Sequence, residues 1–371
     1  MGDWIIVAGQ ITLGLALLVA GGELLVRGAV AIASALRISP LVIGLTVVAF
    51  GTSAPELGVS LQASLSGSSD VAVGNVVGSN IVNILLVLGA ASMITPLLVS
   101  SQLIRLDVPI MIAASFVVWW MGLDGVINRF EGAILFASLL VYLTFCIRKS
   151  RKESRAVQRE FEQEYGEAAV AEDQLTKKHH LSVDFLLILA GLVLLGLGSR
   201  WLVAGATTVA TALGVSQLVI GLTVVAIGTS LPEVVTSVVA SYRGERDIAV
   251  GNVVGSNLFN LLCVLGLTAT VSPMGVAVSS AASQFDIPVM VGVAVICMPI
   301  FFTDSIISRW EGALFVTYYV AYNTFVVLTA KNPLQPQQMH QWLMWAVLPL
   351  VLFPIATSMI FPLLARRKQS K

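Results

Sequence analysis

The sequence predicts an all-α polytopic membrane protein built from two inverted five-helix repeats (5+5 transmembrane helices) plus a C-terminal eleventh helix. Three observations predict it. The 371-residue chain is 57% hydrophobic and only 11% charged, where a soluble domain carries about 25% charged residues, and its mean hydropathy is +0.90. Apolar stretches of helical length recur along the whole chain. One segment of 46 residues occurs twice.

The apolar stretches run over roughly 4–35, 39–65, 71–95, 103–121 and 130–147, then 182–212, 216–242, 248–270, 283–301, 308–329 and 342–364. The first five form a repeat over 1–147. A charged connector takes 148–181, the second five form a repeat over 182–330, and the last helix with its basic tail takes 331–371. The start, Met1-Gly2-Asp3-Trp4, has no basic n-region, so the first apolar run reads as a retained helix rather than a signal peptide. Orientation follows Lys and Arg. With the N-terminus outside, Arg37, Arg105, the run Arg148 to Arg159, Arg243, Arg246, Arg309 and the tail Arg366-Arg367-Lys368 all fall inside. Little beyond Arg129 and Lys331 remains outside, and an eleventh helix is needed to bring the tail in. The connector begins basic, turns acidic and ends Lys177-Lys178-His179-His180. It has no D-x-D-x-D-G loop and reads as a solvated, partly helical cytoplasmic link.

The repeat fixes the organisation. Residues 44–89 and 221–266 align without gaps at a constant offset of 177, with about 30 of 46 positions identical. A weaker echo follows: Asp107-Val-Pro109 pairs with Asp286-Ile-Pro288, and Arg129-Phe-Glu131-Gly132 with Arg309-Trp-Glu311-Gly312. Five helices per copy is an odd number, so tandem copies cross the membrane in opposite senses. That is the inverted-repeat plan of secondary transporters, with the substrate at the midplane.

Each copy contains Gly-Thr-Ser-x-Pro-Glu inside an apolar span: Gly51, Thr52, Ser53, Pro55 and Glu56, then Gly228, Thr229, Ser230, Pro232 and Glu233. Proline lacks an N–H and clashes with the carbonyl four residues back. The helix breaks there, and the freed carbonyls of Gly51 and Gly228 become candidate oxygen ligands. Broken helices at membrane depth occur only where they line a cavity or lie in protein. A carboxylate at that depth costs about 2.5–3.5 kcal/mol on insertion scales. Two of them beside Thr and Ser hydroxyls describe a site for a hard cation such as Ca²⁺ or Na⁺, and no nearby His or Cys points to zinc or copper.

The second segment in each copy is Gly-Asn-Val-Val-Gly-Ser-Asn-x-x-Asn, with Asn75, Ser79, Asn80 and Asn83, then Asn252, Ser256, Asn257 and Asn260. Ser79 and Asn83 share one helix face, as do Ser256 and Asn260. Glycines at spacing four also suit close helix packing. Amides at membrane depth need partners, so Asn83 and Asn260 are candidates for ligation across the pseudo-twofold.

Other charged residues read as structural. Glu23 and Arg27 are one turn apart, and Arg200 occupies the position equivalent to Glu23. Asp107 and Asp286 precede proline and read as helix N-caps. The Arg-x-Glu-Gly turns read as interfacial clasps, and Trp119, Trp120 and Trp310 as aromatic-belt residues. Cys146, Cys263 and Cys297 stand singly in apolar stretches, which implies neither a disulfide framework nor a zinc site.

At these two motifs the sequence resembles the cation/calcium exchanger superfamily, and specifically prokaryotic sodium/calcium exchangers. GTSxPE and GNxxGSNxxN, once in each inverted half, are that family's alpha repeats. The resemblance implies a secondary antiporter that exchanges Ca²⁺ for Na⁺ by alternating access, in a bacterial inner membrane with the C-terminus cytoplasmic. By position it implies a Ca²⁺ site of Glu56 and Glu233 with Thr52 and Thr229. Sodium positions would add the Ala49 and Ala226 carbonyls, Ser53, Ser230, Ser79 and Ser256, and Asn83 and Asn260 would complete the centre. Some relatives carry Asp where this chain has Asn260, so this site is more symmetric and one potential negative charge poorer.

Three other functions fit less of the sequence. A H⁺-coupled or K⁺-dependent exchanger on the same fold would load its coupling onto the glutamates alone, because the Gly-Asn-Val-Val-Gly-Ser-Asn runs hold no titratable group. An intramembrane enzyme lacks HExxH, and His179, His180 and His340 lie outside the spans. A passive channel fits two inverted broken helices poorly. No cofactor is implied beyond the transported ions, no Walker A motif couples the chain to ATP, and the partners are the two ions and the lipid bilayer. Neither nucleic acid nor an obligate protein partner is implied.

Overall fold

Long apolar runs with no water to satisfy their backbone close their hydrogen bonds internally, and helices dominate the computed structural model. It describes residues 2–36, 38–165, 181–215, 220, 223–224, 226–302 and 305–331. The expected eleventh helix at 342–364, the basic tail, Arg37, the start of the stretch at 216–242 and connector residues 166–180 lie outside the described residues.

The first half contains α1 (Gly2–Leu36), α2 (Pro40–Thr52), α3 (Ala54–Leu65), α4 (Val71–Ile94), α5 (Leu103–Asp124) and α6 (Arg129–Tyr165). The second contains α7 (Leu181–Ala212), α8 (Ala226–Thr229), α9 (Leu231–Tyr242), α10 (Arg246–Val271), α11 (Ala282–Phe301) and α12 (Arg309–Lys331). Among the described residues eight helices are long and apolar enough to cross a membrane, and α2 with α3 form a ninth span bent by 44°. Where residues are described, the expected spans fall on these helices to within a few residues. The connector begins as helix, as a partly helical link would, because α6 runs unbroken out of its span to Tyr165.

The halves interlock rather than sit side by side. Helices α4 and α10 occupy the centre, and the span of α10 is wholly buried. Helix α5 packs on α11, the end of α4 packs on α12, and the end of α10 packs on α6. The equivalent first helices, α1 and α7, cross antiparallel along their length. Gly14 meets Gly198 and Leu202, Gly21 meets Gly191 and Leu195, and Gly28 meets Asp184 and Ile188. Antiparallel equivalents are what inverted copies require.

Short pairings join the halves at their ends. Strand β1 (Leu97–Leu98) pairs with β4 (Ile306–Ile307), and β2 (Val126–Ile127) pairs with β3 (Val276–Ala277), both antiparallel. Two-residue strands carry no periodicity, so sequence pattern did not reveal them. The clasp turns act across the same junction. Arg129 donates to the Thr270 carbonyl at 2.9 Å and Arg309 to the Ile94 carbonyl at 3.1 Å. Each arginine thereby covers the end of the other half's helix, where carbonyls lack partners. Glu131 and Glu311 accept from the backbone N–H of Asn128 and Ser308, each at 2.8 Å, the return bond of a capping box.

Two expectations are corrected. Asp107 and Asp286 are not N-caps. Each ends a π turn, Leu103–Asp107 or Ala282–Asp286, that runs straight into the following helix, so no helix start is there to cap. The buried Asp107 carboxylate instead accepts from the Tyr142 hydroxyl at 2.9 Å, and Asp286 accepts from Tyr322 at 3.2 Å. Trp119 is half-buried, unlike the exposed Trp120 and Trp310. Its indole N–H donates to the Ser283 carbonyl at 3.2 Å, because α5 is seated against the start of α11.

A Cβ on Gly191 would stand 2.7 Å from the Leu25 nitrogen and 2.8 Å from the Gly21 carbonyl oxygen, whereas one on Gly196 would meet nothing within 4 Å. Gly191→Ala should therefore lower the thermal midpoint of the detergent-purified chain by several degrees. Gly196→Ala, which gains helix propensity in open space, should leave it unchanged or slightly raised.

Candidate cation site

Proline determines the local geometry. Pro55 and Pro232 stand at the second positions of α3 and α9, where a missing N–H costs nothing. The preceding helices end at Thr52 and Thr229, Ser53 and Ser230 form the turns, and new helices start after them. Glu56 and Glu233 fall in the first turn of the new helices, where the helix dipole favours an anion.

The arrangement crosses between halves. The Ser53 hydroxyl donates to Glu233 Oε1 at 3.3 Å, and the Ser230 hydroxyl lies 3.5 Å from Glu56 Oε1 and 3.5 Å from Ser79 Oγ. Both glutamates are fully buried, and among the described residues neither Glu56 Oε2 nor Glu233 Oε2 has a hydrogen-bond partner. On the other side the Thr52 hydroxyl donates to Asn252 Oδ1 at 3.2 Å and lies 3.4 Å from Ser256 Oγ.

Most expected residues are thus brought together across the halves: Ser53 with Glu233, Ser230 with Glu56 and Ser79, and Thr52 with Ser256. Asn83 and Asn260 are fully buried, each in a π turn. Among the described residues neither polar atom of the Asn83 side chain has a partner, and Asn260 Oδ1 has none. Asn260 donates to Asn80 at 3.1 Å rather than to Asn83. Thr229 is half-buried and lines a crevice of about 770 Å³ between α3, α7 and α8. The Ala49 carbonyl already accepts the Ser53 N–H at 3.0 Å. The side chain of Ala226 lies outside the described residues.

One carbonyl freed by proline departs from expectation. Gly228 O accepts the Ser199 hydroxyl of α7 at 2.5 Å. The repeat counterpart of Ser199 is Gly22, which has no hydroxyl to offer the first break.

Sequence reasoning did not include Asn75, Asn252, Ser60, Ser237 or Asn80 among the site residues. Asn75 donates to the Glu56 carbonyl at 3.1 Å and to Ser60 Oγ at 2.9 Å, and Asn252 donates to Ser237 Oγ at 2.9 Å. These amides tie α4 to α3 and α10 to α9. The signal was present, since Ser60 and Ser237 stand one turn beyond the glutamates in both copies.

Among the described residues no three His, Cys, Asp or Glu gather in one place. A cation held here would be ligated by two carboxylates together with hydroxyl and amide oxygens. Two carboxylates taken out of water without a counter-charge are costly, and two negative charges equal the charge of one Ca²⁺.

The family described as sodium/calcium exchanger protein matches residues 6–148 and 183–328. The chain belongs to the sodium/calcium exchanger family. It is 32% identical over 335 residues to the sodium/calcium exchanger MaX1 of Methanosarcina acetivorans, spanning 84% of this chain and 95% of that protein. It is 36% identical over 263 residues to the inner membrane protein YrbG of Escherichia coli strain K12, spanning 70% and 78%. Its fold is similar to that of the sodium-calcium exchanger NCX_Mj soaked with zero Na⁺ and Ca²⁺, with a TM-score of 0.72, 29% identity, and 87% of this chain and 99% of that one covered. The molecule is therefore an all-α, multi-pass membrane transporter and not an enzyme.

A ligand that binds only the folded state stabilises it by mass action. Added CaCl₂ should raise the thermal midpoint of the purified chain. Glu56→Gln and Glu233→Gln should each abolish the rise while leaving the midpoint without Ca²⁺ the same or higher, because each removes a buried charge.

Proposed function

We propose that the chain exchanges Ca²⁺ for Na⁺ by alternating access, with both ions competing for the oxygens around Glu56 and Glu233. The observation that carries this reading is the pair of fully buried carboxylates, one from each half, each with an oxygen unpartnered among the described residues. The family and the named relatives support the same ions. In this reading Ca²⁺ uses both carboxylates with Thr52 and Thr229. Sodium adds Ser53, Ser230, Ser79, Ser256 and the Ala49 and Ala226 carbonyls, and Asn83 and Asn260 close the centre. The two five-helix repeats are inverted copies and supply two related states, one open to each side.

The packing is consistent with one of those states. Thr229 of the proposed site, and Pro55 next to Glu56, line the crevice between α3, α7 and α8. On the opposite side α1 is closed on α9. Gly22 approaches Val235 and Val239, and Glu23 pairs with Arg27 at 2.6 Å and with Arg243. The Lys and Arg distribution supports an outside N-terminus and a cytoplasmic C-terminus, and a bacterial inner membrane suits a relative named for that location.

The test is ⁴⁵Ca²⁺ uptake into proteoliposomes loaded with Na⁺. Uptake should follow the outward Na⁺ gradient, collapse when Na⁺ is equal on both sides, and fall to background in Glu56→Gln and Glu233→Gln. Uptake that ignores Na⁺ and follows an imposed pH gradient would sink the assignment.

A further inference from the structure

A side-chain amide can help a cation only if its oxygen, not its NH₂, faces the ion. An amide that serves as a ligand therefore needs something to hold its NH₂ the other way. Asn260 and Asn83 occupy equivalent positions in the repeat, yet they are held differently. Asn260 Nδ2 donates to Asn80 Oδ1 at 3.1 Å, which leaves Asn260 Oδ1 without a partner among the described residues.

The polarity of Asn80 is itself fixed by its surroundings. Its Nδ2 faces the Asn257 carbonyl at 3.5 Å and the Met290 sulfur at 3.6 Å. Both groups can only accept, so the NH₂ of Asn80 must point to them and its oxygen must point to Asn260. All three asparagines are at most 2% exposed, so water does not relax the constraint. The orienting chain thus runs from the Asn257 carbonyl through Asn80 to Asn260, and each link crosses between halves.

The mirror position does not repeat it. Asn257, the counterpart of Asn80, donates to the Met111 sulfur at 3.5 Å, and its oxygen has no partner among the described residues. Neither polar side-chain atom of Asn83 is held by a described residue. The repeat is symmetric in sequence and asymmetric in its hydrogen bonds.

We propose that Asn80 is a positioning residue that fixes Asn260 as an oxygen ligand for the transported cation, while Asn83 carries no such constraint. This rests on the reading of the central cluster as the cation site. Asn80 itself need not touch the ion. Its effect is transmitted by the orientation of Asn260, so the two central amides contribute unequally despite their equivalent places.

The experiment is a double-mutant cycle in proteoliposomes made from the full chain, reading the half-saturating concentrations of Na⁺ and Ca²⁺ for exchange. Asn260→Ala and Asn80→Ala should each raise the value for the same ion, by about threefold or more. Asn80→Ala should add almost nothing in the Asn260→Ala background, and Asn257→Ala should shift neither ion. If Asn80→Ala is not recovered folded, Asn80→Ser, which lacks the amide oxygen but keeps a polar group, takes its place. An effect of Asn80 that persists without Asn260, that falls on a different ion, or that Asn257→Ala equals would overturn the proposal. A wild-type chain that exchanges neither ion removes the site reading and the proposal with it. Wild-type exchange with Asn80 variants unchanged overturns the proposal alone.

Discussion

Two buried carboxylates, each contacted by a serine of the other half and with no Lys or Arg paired to either among the described residues, are the constraint on which the rest of this structure depends. Such a pair is strongly unfavourable unless a cation joins it. Each half meets the requirement in the same way. Proline ends one helix and starts another, so the glutamate falls in a first turn beside a serine that reaches the other half's carboxylate. In the proposed site each half supplies one carboxylate, so neither half is complete alone. The close antiparallel packing of α1 on α7, the cross-half strands and the arginine clasps all keep two incomplete halves in register.

Sequence symmetry does not extend to every contact. The glutamates, the paired serines and the Asn75–Ser60 and Asn252–Ser237 bonds recur in both halves. Among the described residues the Ser199 cap on Gly228, the Glu23–Arg243 pair and the Asn80–Asn260 bond occur once. Replacing Glu23 by Arg200, or Gly22 by Ser199, at equivalent positions alters one face only. A transporter with inverted halves needs its two faces to differ in energy as well as in direction, and these single-sided contacts are where that difference can reside.

Much of this was legible in the sequence. The spans are set by length and apolarity, and the helix breaks by a proline whose missing N–H acts on its immediate neighbours. The central carboxylates stand out because charge is rare at that depth. What was not legible depends on partners remote in sequence. Nothing near Asp107 announces Tyr142, so a buried hydrogen-bonded acid looked like a cap. Ser199 lies 29 residues from Gly228, and Asn80 lies 180 from Asn260. Helix periodicity shows which face a residue occupies but not which helix that face will meet.

The central claim is that two half-sites make one site, and the stoichiometry of Ca²⁺ binding tests it most directly. Isothermal titration of the Na⁺-free purified chain should give one high-affinity Ca²⁺ per polypeptide, absent from both Glu56→Gln and Glu233→Gln. Two Ca²⁺ per chain, with each variant retaining one, would mean that the halves bind independently and would contradict the account.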